Sequence, residues 1–304
     1  MTAGFNILNL IDSIWRIFIY ETHNFFNYII NEITFSVEPW YINYFWWLVI
    51  LSVVVWGLEI LFPWRKDQNI IRKDFWLDTF YMFFNFYLFK LMLFIGFSVI
   101  IEKSFIHLTG NSNALMIFDI QQVNPFFQLL IFFLLIDFIG WITHNVLHRI
   151  NFLWKFHKVH HSVEQMGFAA HLRYHWMETV IYTPSKYIML MLIGNFEPEQ
   201  AFIVYYISIT IGHLNHANIN INYGPLKYIF NNPKMHIWHH AKDLPENRKF
   251  GVNFGISLSI WDYIFKTAYI PYSGKDLNLG FEHLEKFPKS FSKQILYGFK
   301  KSKE

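Results

Sequence analysis

The sequence has no cysteine among its 304 residues. That excludes disulfides, iron–sulfur clusters, thiolate metal sites and a cysteine nucleophile, so any metal chemistry must rest on histidine and carboxylates. Charge is scarce as well. Only 15% of residues are Asp, Glu, Lys or Arg, against 54% apolar and 21% aromatic, a composition far from that of an ordinary soluble domain and close to that of a membrane protein. The formal net charge is +3, and no basic run is interleaved with aromatics, so no nucleic-acid partner is expected. The Lys and Arg residues gather near the ends of apolar stretches, where they meet lipid headgroups. No basic segment precedes the apolar stretch 11–20 and no small-residue cleavage site follows it, so it reads as an interfacial helix and not as a signal peptide. No low-complexity linker or internal repeat divides the chain.

The apolar stretches predict an all-α integral membrane protein. About four transmembrane or half-spanning helices are expected, with a cytoplasmic helical cap. The first span covers 44–62 and stops at Pro63, Trp64, Arg65 and Lys66; the second covers 80–101, contains Lys90 and ends at Glu102 and Lys103. The third begins after Pro125, runs to 143 and continues as helix through His144 and His148. Two shorter stretches, 180–193 and 201–211, read as a hairpin of spanning or half-spanning helices. The loop 65–74 holds Arg65, Lys66, Arg72 and Lys73, whereas the loop 104–124 has neither Lys nor Arg. The positive-inside rule then places the former in the cytoplasm, together with His144, Arg149, Lys155, Lys158 and the Lys-rich C-terminus. Three stretches follow: 1–124, the interfacial helix and first two spans; 125–270, a histidine-rich core of the same structural domain; and 271–304, a basic cytoplasmic tail.

Histidine is abundant, at 15 residues, and most lie between His144 and His240. His144 and His148 stand at i and i+4, a spacing that puts both on one helix face. His157, His160 and His161 form an HxxHH pattern, and His236, His239 and His240 repeat it about 80 residues later. One copy is a weak signal; two are a strong one. Positions i and i+3 share a face while i+4 is displaced toward the next helix, so such a helix can feed two metals. Imidazole suits Fe, Zn, Cu and Ni. His23, His107 and His283, each alone, read as polar residues at a membrane interface or as satisfied core residues.

The run 137–148, the run 154–162 from Trp154 to Ser162, and Met235 to His240 followed by Asn253, Phe254 and Gly255 and by Ile260, Trp261 and Asp262 resemble the sterol desaturase and fatty acid hydroxylase superfamily over about residues 125–270. The resemblance implies a membrane-embedded di-iron oxygenase, with zinc the commonest substitute for iron in a purified sample. It implies dioxygen as co-substrate and hydroxylation or desaturation of a lipid, fatty acyl, ether-linked or sterol-like. His144, His148, His157, His160, His161, His236, His239 and His240 match the three boxes and would be metal ligands, with His216 resembling a further family histidine. Arg173, His175 and Glu178 resemble the family's Arg-x-His-Pro-x-Glu segment, but Trp176 replaces the proline. His175 is then either a ligand or an outer partner, and His171 and His213 have weaker claims.

Each ligating imidazole usually donates its other N–H to a carboxylate or carbonyl. Asp137, two helical turns before His144, either orients a ligand through a neighbouring element or pairs with another polar group in the bundle; Glu178 and Asp262 are similar candidates. Electrons must come from an external donor such as a cytochrome, ferredoxin, reductase or pterin, because the chain has no GxGxxG fingerprint and no CxxC pair. Lys155, Lys158, Lys242, Arg248 and Lys249 are available to dock it. Two other readings compete: a histidine-based metal transporter, whose site would lie near the bilayer midplane, and a zinc-binding membrane scaffold.

Overall fold

The computed structural model describes residues 7–85, 110 and 115–299. Most of the second predicted span and His107 lie outside the described residues. The first helix, α1 (Ile7–Ile33), is much longer than the expected 11–20. Nothing between 7 and 33 stops it, for the stretch has neither Pro nor Gly, and it ends where Phe35 takes a positive φ. Trp15, Ile19, Phe26 and Ile30 along it are exposed, which suits a helix lying in an interface.

Helix α2 (Tyr44–Leu61) begins at Asn43, whose side chain accepts from the Trp46 N–H. Helix α3 (Phe75–Phe83) follows the basic loop. Helix α4 (Pro125–Arg149) starts with Asn124 as cap and Pro125 in its first turn, and runs 25 residues without a break. Only 17% of α2 and 39% of the apolar part of α4 is fully buried inside the protein, so neither helix is sealed in the core. These two helices are long and apolar enough to cross a membrane, and a core helix of a soluble protein would be mostly buried instead.

Ile150 alone separates α4 from α5 (Asn151–His161). Helices α6 (Trp176–Leu192) and α7 (Pro198–His216) cover the two shorter stretches expected at 180–193 and 201–211. Helix α8 (Pro233–His239) is capped by Asn232. Two short helices, α9 (Ile260–Ile264) and α10 (Phe291–Gln294), complete the described set. The described residues are predominantly helical, with one two-residue parallel pair, β1 (Phe118–Asp119) with β2 (Ile193–Gly194), and three isolated bridges among them.

One apolar cluster joins Leu48 and Val55 of α2, Phe75 and Met82 of α3, and Ile209 of α7. A second gathers Trp64, Val163, Met166, Ile237, Trp238 and Val252. The segment expected as a C-terminal tail is folded back instead of trailing. Phe281 and Phe287 pack on Tyr81 and Val159, Gly280 donates to the His240 carbonyl at 3.0 Å, and Trp176 Nε1 donates to Ile295 O at 2.8 Å. Its apolar residues, Phe281, Phe287 and Phe291, are spaced too irregularly to announce an element, but they fill the gap beside α3 and α5.

Candidate metal centre

Nine histidines from four helices converge. His144 and His148 come from the end of α4, His157, His160 and His161 from the end of α5, His216 from the end of α7, and His236, His239 and His240 from α8 and its C-cap. They fall into two groups whose potential ligand atoms all lie within 4.8 Å of one another: His144, His148, His157, His161 and His239; and His160, His216, His236 and His240. Each HxxHH box therefore serves both groups, but not in the expected way. The i and i+4 members stay together while i+3 crosses over: His160 leaves His157 and His161, and His239 leaves His236 and His240. At 3.6 residues per turn, i+4 lies about 40° past i, whereas i+3 lies about 60° to its other side.

Five rings are oriented through Nδ1. His144 donates to Phe254 O at 2.8 Å and His239 to Val252 O at 2.8 Å. His160 donates to Arg173 O at 3.0 Å, His216 to Gly212 O at 2.8 Å, and His157 to Glu178 Oε2 at 3.0 Å. A carbonyl or carboxylate only accepts, so these contacts place the proton on Nδ1 and leave Nε2 as a bare lone pair. Two pairs of these bare Nε2 atoms face each other, at 3.1 Å between His144 and His157 and 3.4 Å between His160 and His216, and His236 Nε2 lies 2.9 Å from His216 Nε2. The Nε2 atoms of His148, His161 and His239 are buried with no protein partner. Facing lone pairs repel, and a cation between them removes the repulsion. Nitrogens sharing one ion at about 2.1 Å lie about 3.0–3.4 Å apart for octahedral or tetrahedral angles, which is the spacing found. The donor set therefore fits a metal.

Electrostatics agree. Burial pushes His157 down to about 3 and His160 to about 4, and His161, His236, His239 and His240 are held well below their usual value by burial and by their neighbours. All six are neutral near pH 7, the form that binds metal.

Glu178 belongs to the surroundings of the groups. Its Oε2 orients His157 while Oε1 accepts the His175 N–H at 3.4 Å, closing a capping box at the start of α6. Burial raises its carboxyl to about 7, an effect reduced by His160 and the His175 N–H. His175 stands outside both groups and caps α6 by accepting from the Met177 N–H at 3.1 Å. The turn forms without the missing proline because Trp176 occupies the first helical position, which tolerates proline without requiring it. We expect Glu178→Gln to weaken metal affinity about 10- to 100-fold, measured by chelator competition; unchanged affinity would dismiss the orienting role.

Asp137 touches no histidine. Its carboxylate accepts from Ser257 N at 2.8 Å, Leu258 N at 3.2 Å and Trp261 Nε1 at 3.0 Å. Asp262 acts on the site at one remove, gripping Phe254 N, Gly255 N and Trp141 Nε1 at 2.7–3.0 Å, and Phe254 O is the acceptor for His144. A Cβ on Gly255 would lie 2.4 Å from the Leu258 carbonyl oxygen. Gly255→Ala should therefore cost about 1–3 kcal/mol, read as a lowered melting temperature. His213 bonds Ser52 Oγ and Phe168 O, each at 3.2 Å, and lies beside His171; neither joins a group. His23 pairs with Asn27 and His283 with Glu285 at the surface.

Sequence reasoning passed over the role of Arg173 and its partners. This buried guanidinium bonds Asp78 Oδ1 at 2.9 Å, Asp74 Oδ2 at 3.1 Å and Ser162 Oγ at 2.8 Å, while Arg72 holds the other Asp78 oxygen. Arg72, Asp74 and Asp78 are near neighbours, but Arg173 lies 95 residues from Asp78, and no local pattern announces that link.

Fold and site define an α-helical protein with, among the described residues, two membrane-crossing candidates and a polyhistidine cluster able to bind metal. Residues 129–267 match the fatty acid hydroxylase family model, and this part of the chain is a fatty acid hydroxylase domain of the sterol desaturase and fatty acid hydroxylase superfamily. The chain is 31% identical over 174 residues to the ornithine lipid hydroxylase OlsE of Rhizobium tropici, covering 57% of this chain and 50% of that protein. It is 30% identical to the alkylglycerol monooxygenases of Caenorhabditis elegans, over 43% of this chain and 25% of the relative, and of Homo sapiens, over 44% and 29%. The matches thus span half or less of these relatives. No solved structure matches the chain.

Proposed function

We propose that this protein is a membrane-bound di-iron oxygenase that hydroxylates a lipid, with His144, His148, His157, His161 and His239 holding one iron and His160, His216, His236 and His240 the other. The observation that carries the reading is the set of bare Nε2 atoms, facing each other between His144 and His157 and between His160 and His216. The relatives' names, a lipid hydroxylase and two monooxygenases, favour hydroxylation over desaturation. When bound, the iron pair supplies the activation of dioxygen needed to attack an unactivated C–H bond. The chain's own residues keep nine imidazoles neutral, fix five of them by Nδ1 and shield the pair from water by burial. An external carrier delivers the electrons. A multi-pass topology with α2, α4, the α6–α7 hairpin and a further span, and a site on the cytoplasmic side, is supported by the Arg and Lys residues that follow α2 and α4.

Metal analysis of detergent-purified protein, paired with mass spectrometry of lipid extracts from cells with and without the gene, tests this. Two irons per chain and a lipid that gains one oxygen atom are expected. Zinc replacing part of the iron on purification fits the same donor set. Tight zinc with no turnover on iron reconstitution would favour a scaffold, and metal flux without lipid oxidation a transporter.

A further inference from the structure

Asp137 stands at the middle of the 25-residue α4. A carboxylate there would be costly in hydrocarbon unless paired; the partly buried Lys186 of α6 is an electrostatic partner, and the hydrogen-bond donors to Asp137 are the N–H groups of Ser257 and Leu258 and the Trp261 indole. The stretch 257–261, which leads into α9, thus lies beside the middle of α4, about 18 Å of helix from the Arg149 end. Ring contacts place the residues after it near the same level, with Phe138 to Trp261 and Trp141 to Phe265 both at 4.7 Å. The segment 224–229 is fastened to this stretch. Ser259 N donates to Ile229 O at 2.9 Å, Ser259 Oγ to Lys227 O at 2.7 Å, and Tyr228 meets Tyr263 at 5.0 Å.

Irregular backbone is tolerated at membrane depth only where protein covers it, and Ser257, Leu258 and Ser259 are buried. What faces outward is apolar: Leu226 is 53% exposed, Ile264 57% and Phe265 48%, with Tyr228 and Ile229 beside them. A cap standing in water would carry polar residues there. Lys227 and Lys266 flank the surface, and Lys227 Nζ lies 5.1 Å from the Tyr228 ring, as a snorkelling side chain would.

We propose that 224–229 and 260–265 form a wedge that inserts into the acyl layer of the bilayer beside α4, so that the partner of this surface is lipid hydrocarbon. His144 is seven residues from Asp137, about 10 Å along the helix. The histidine groups then sit at the boundary between acyl chains and headgroups, where a lipid chain reaches them without leaving the bilayer. The inference rests on α4 crossing the membrane, and the test separates the two.

Because the chain has no cysteine, single cysteines in the full-length protein can carry a nitroxide. In phosphatidylcholine nanodiscs, collision rates with oxygen, which concentrates in hydrocarbon, are compared with those of a water-soluble nickel chelate. Labels at Ile264→Cys and Leu226→Cys should approach the oxygen-to-nickel ratio of Leu130→Cys, exposed and well inside α4, and exceed that of Lys249→Cys several-fold. Water-like ratios at 264 and 226, with a hydrocarbon-like ratio at 130, overturn the wedge and spare the span. A water-like ratio at 130 overturns the span and the wedge with it. Low access to both reagents, with or without spin–spin broadening, means that protein covers the face and likewise overturns the wedge.

Discussion

Replacing His160 with alanine is expected to remove about one of two metals and to lower lipid oxidation by at least about 100-fold, beyond what losing a mere outer partner costs. His160 is one of only four imidazoles in its group, its ring is fixed by Arg173 O, and its Nε2 lies 3.4 Å from that of His216. Alanine leaves three nitrogens and a void beside them. The five histidines of the other group make none of their oriented contacts through His160, so that group should keep its metal. Iron content per chain and product yield are read on the same sample. His213→Ala is the matched control: equally buried and only three residues from His216, yet outside both groups. It should keep both metals. Full metal and full activity in the His160 variant would refute the four-histidine group.

Arg173→Ala should produce the largest loss of stability. Removing one partner of a buried ion pair costs about 3–5 kcal/mol because the remaining charge stays buried and uncompensated. Here Asp78, fully buried, would keep only Arg72, and Ser162 Oγ would lose a donor. The melting temperature in detergent should fall by roughly 10 °C. The effect reaches the metal centre, because the Arg173 carbonyl orients His160 and Ser162 directly follows His161. Metal affinity should therefore drop together with stability. Arg173→Lys keeps the charge but cannot bridge two aspartates and a serine with a planar fork, so an intermediate loss is expected. A melting temperature unchanged in both variants would show that the network is not structural.

The sequence by itself determined everything that depends on neighbours along the chain. The spans of α2 and α4 follow from uninterrupted apolar runs, their starts from Asn43 and from Asn124 with Pro125, and the continuation of α4 to His148 from the absence of any breaker. The histidine boxes were legible because i, i+3 and i+4 spacings put rings on adjoining faces of any helix. The nine histidines predicted to act together are the nine that converge. Only the tertiary structure decided how they divide. Whether His160 or His161 crosses to the other group depends on helix rotation and crossing, and a box carries no record of either. The same holds for Asp137, which spacing placed near His144 but which packing uses to hold 257–261. It holds for His175, which became a helix cap, and for the 271–299 stretch, whose scattered aromatic residues find partners on α3 and α5. Periodicity encodes which face of a helix is apolar or ligating. What that face meets is settled by shape and by pairing of buried polar groups across a hundred or more residues.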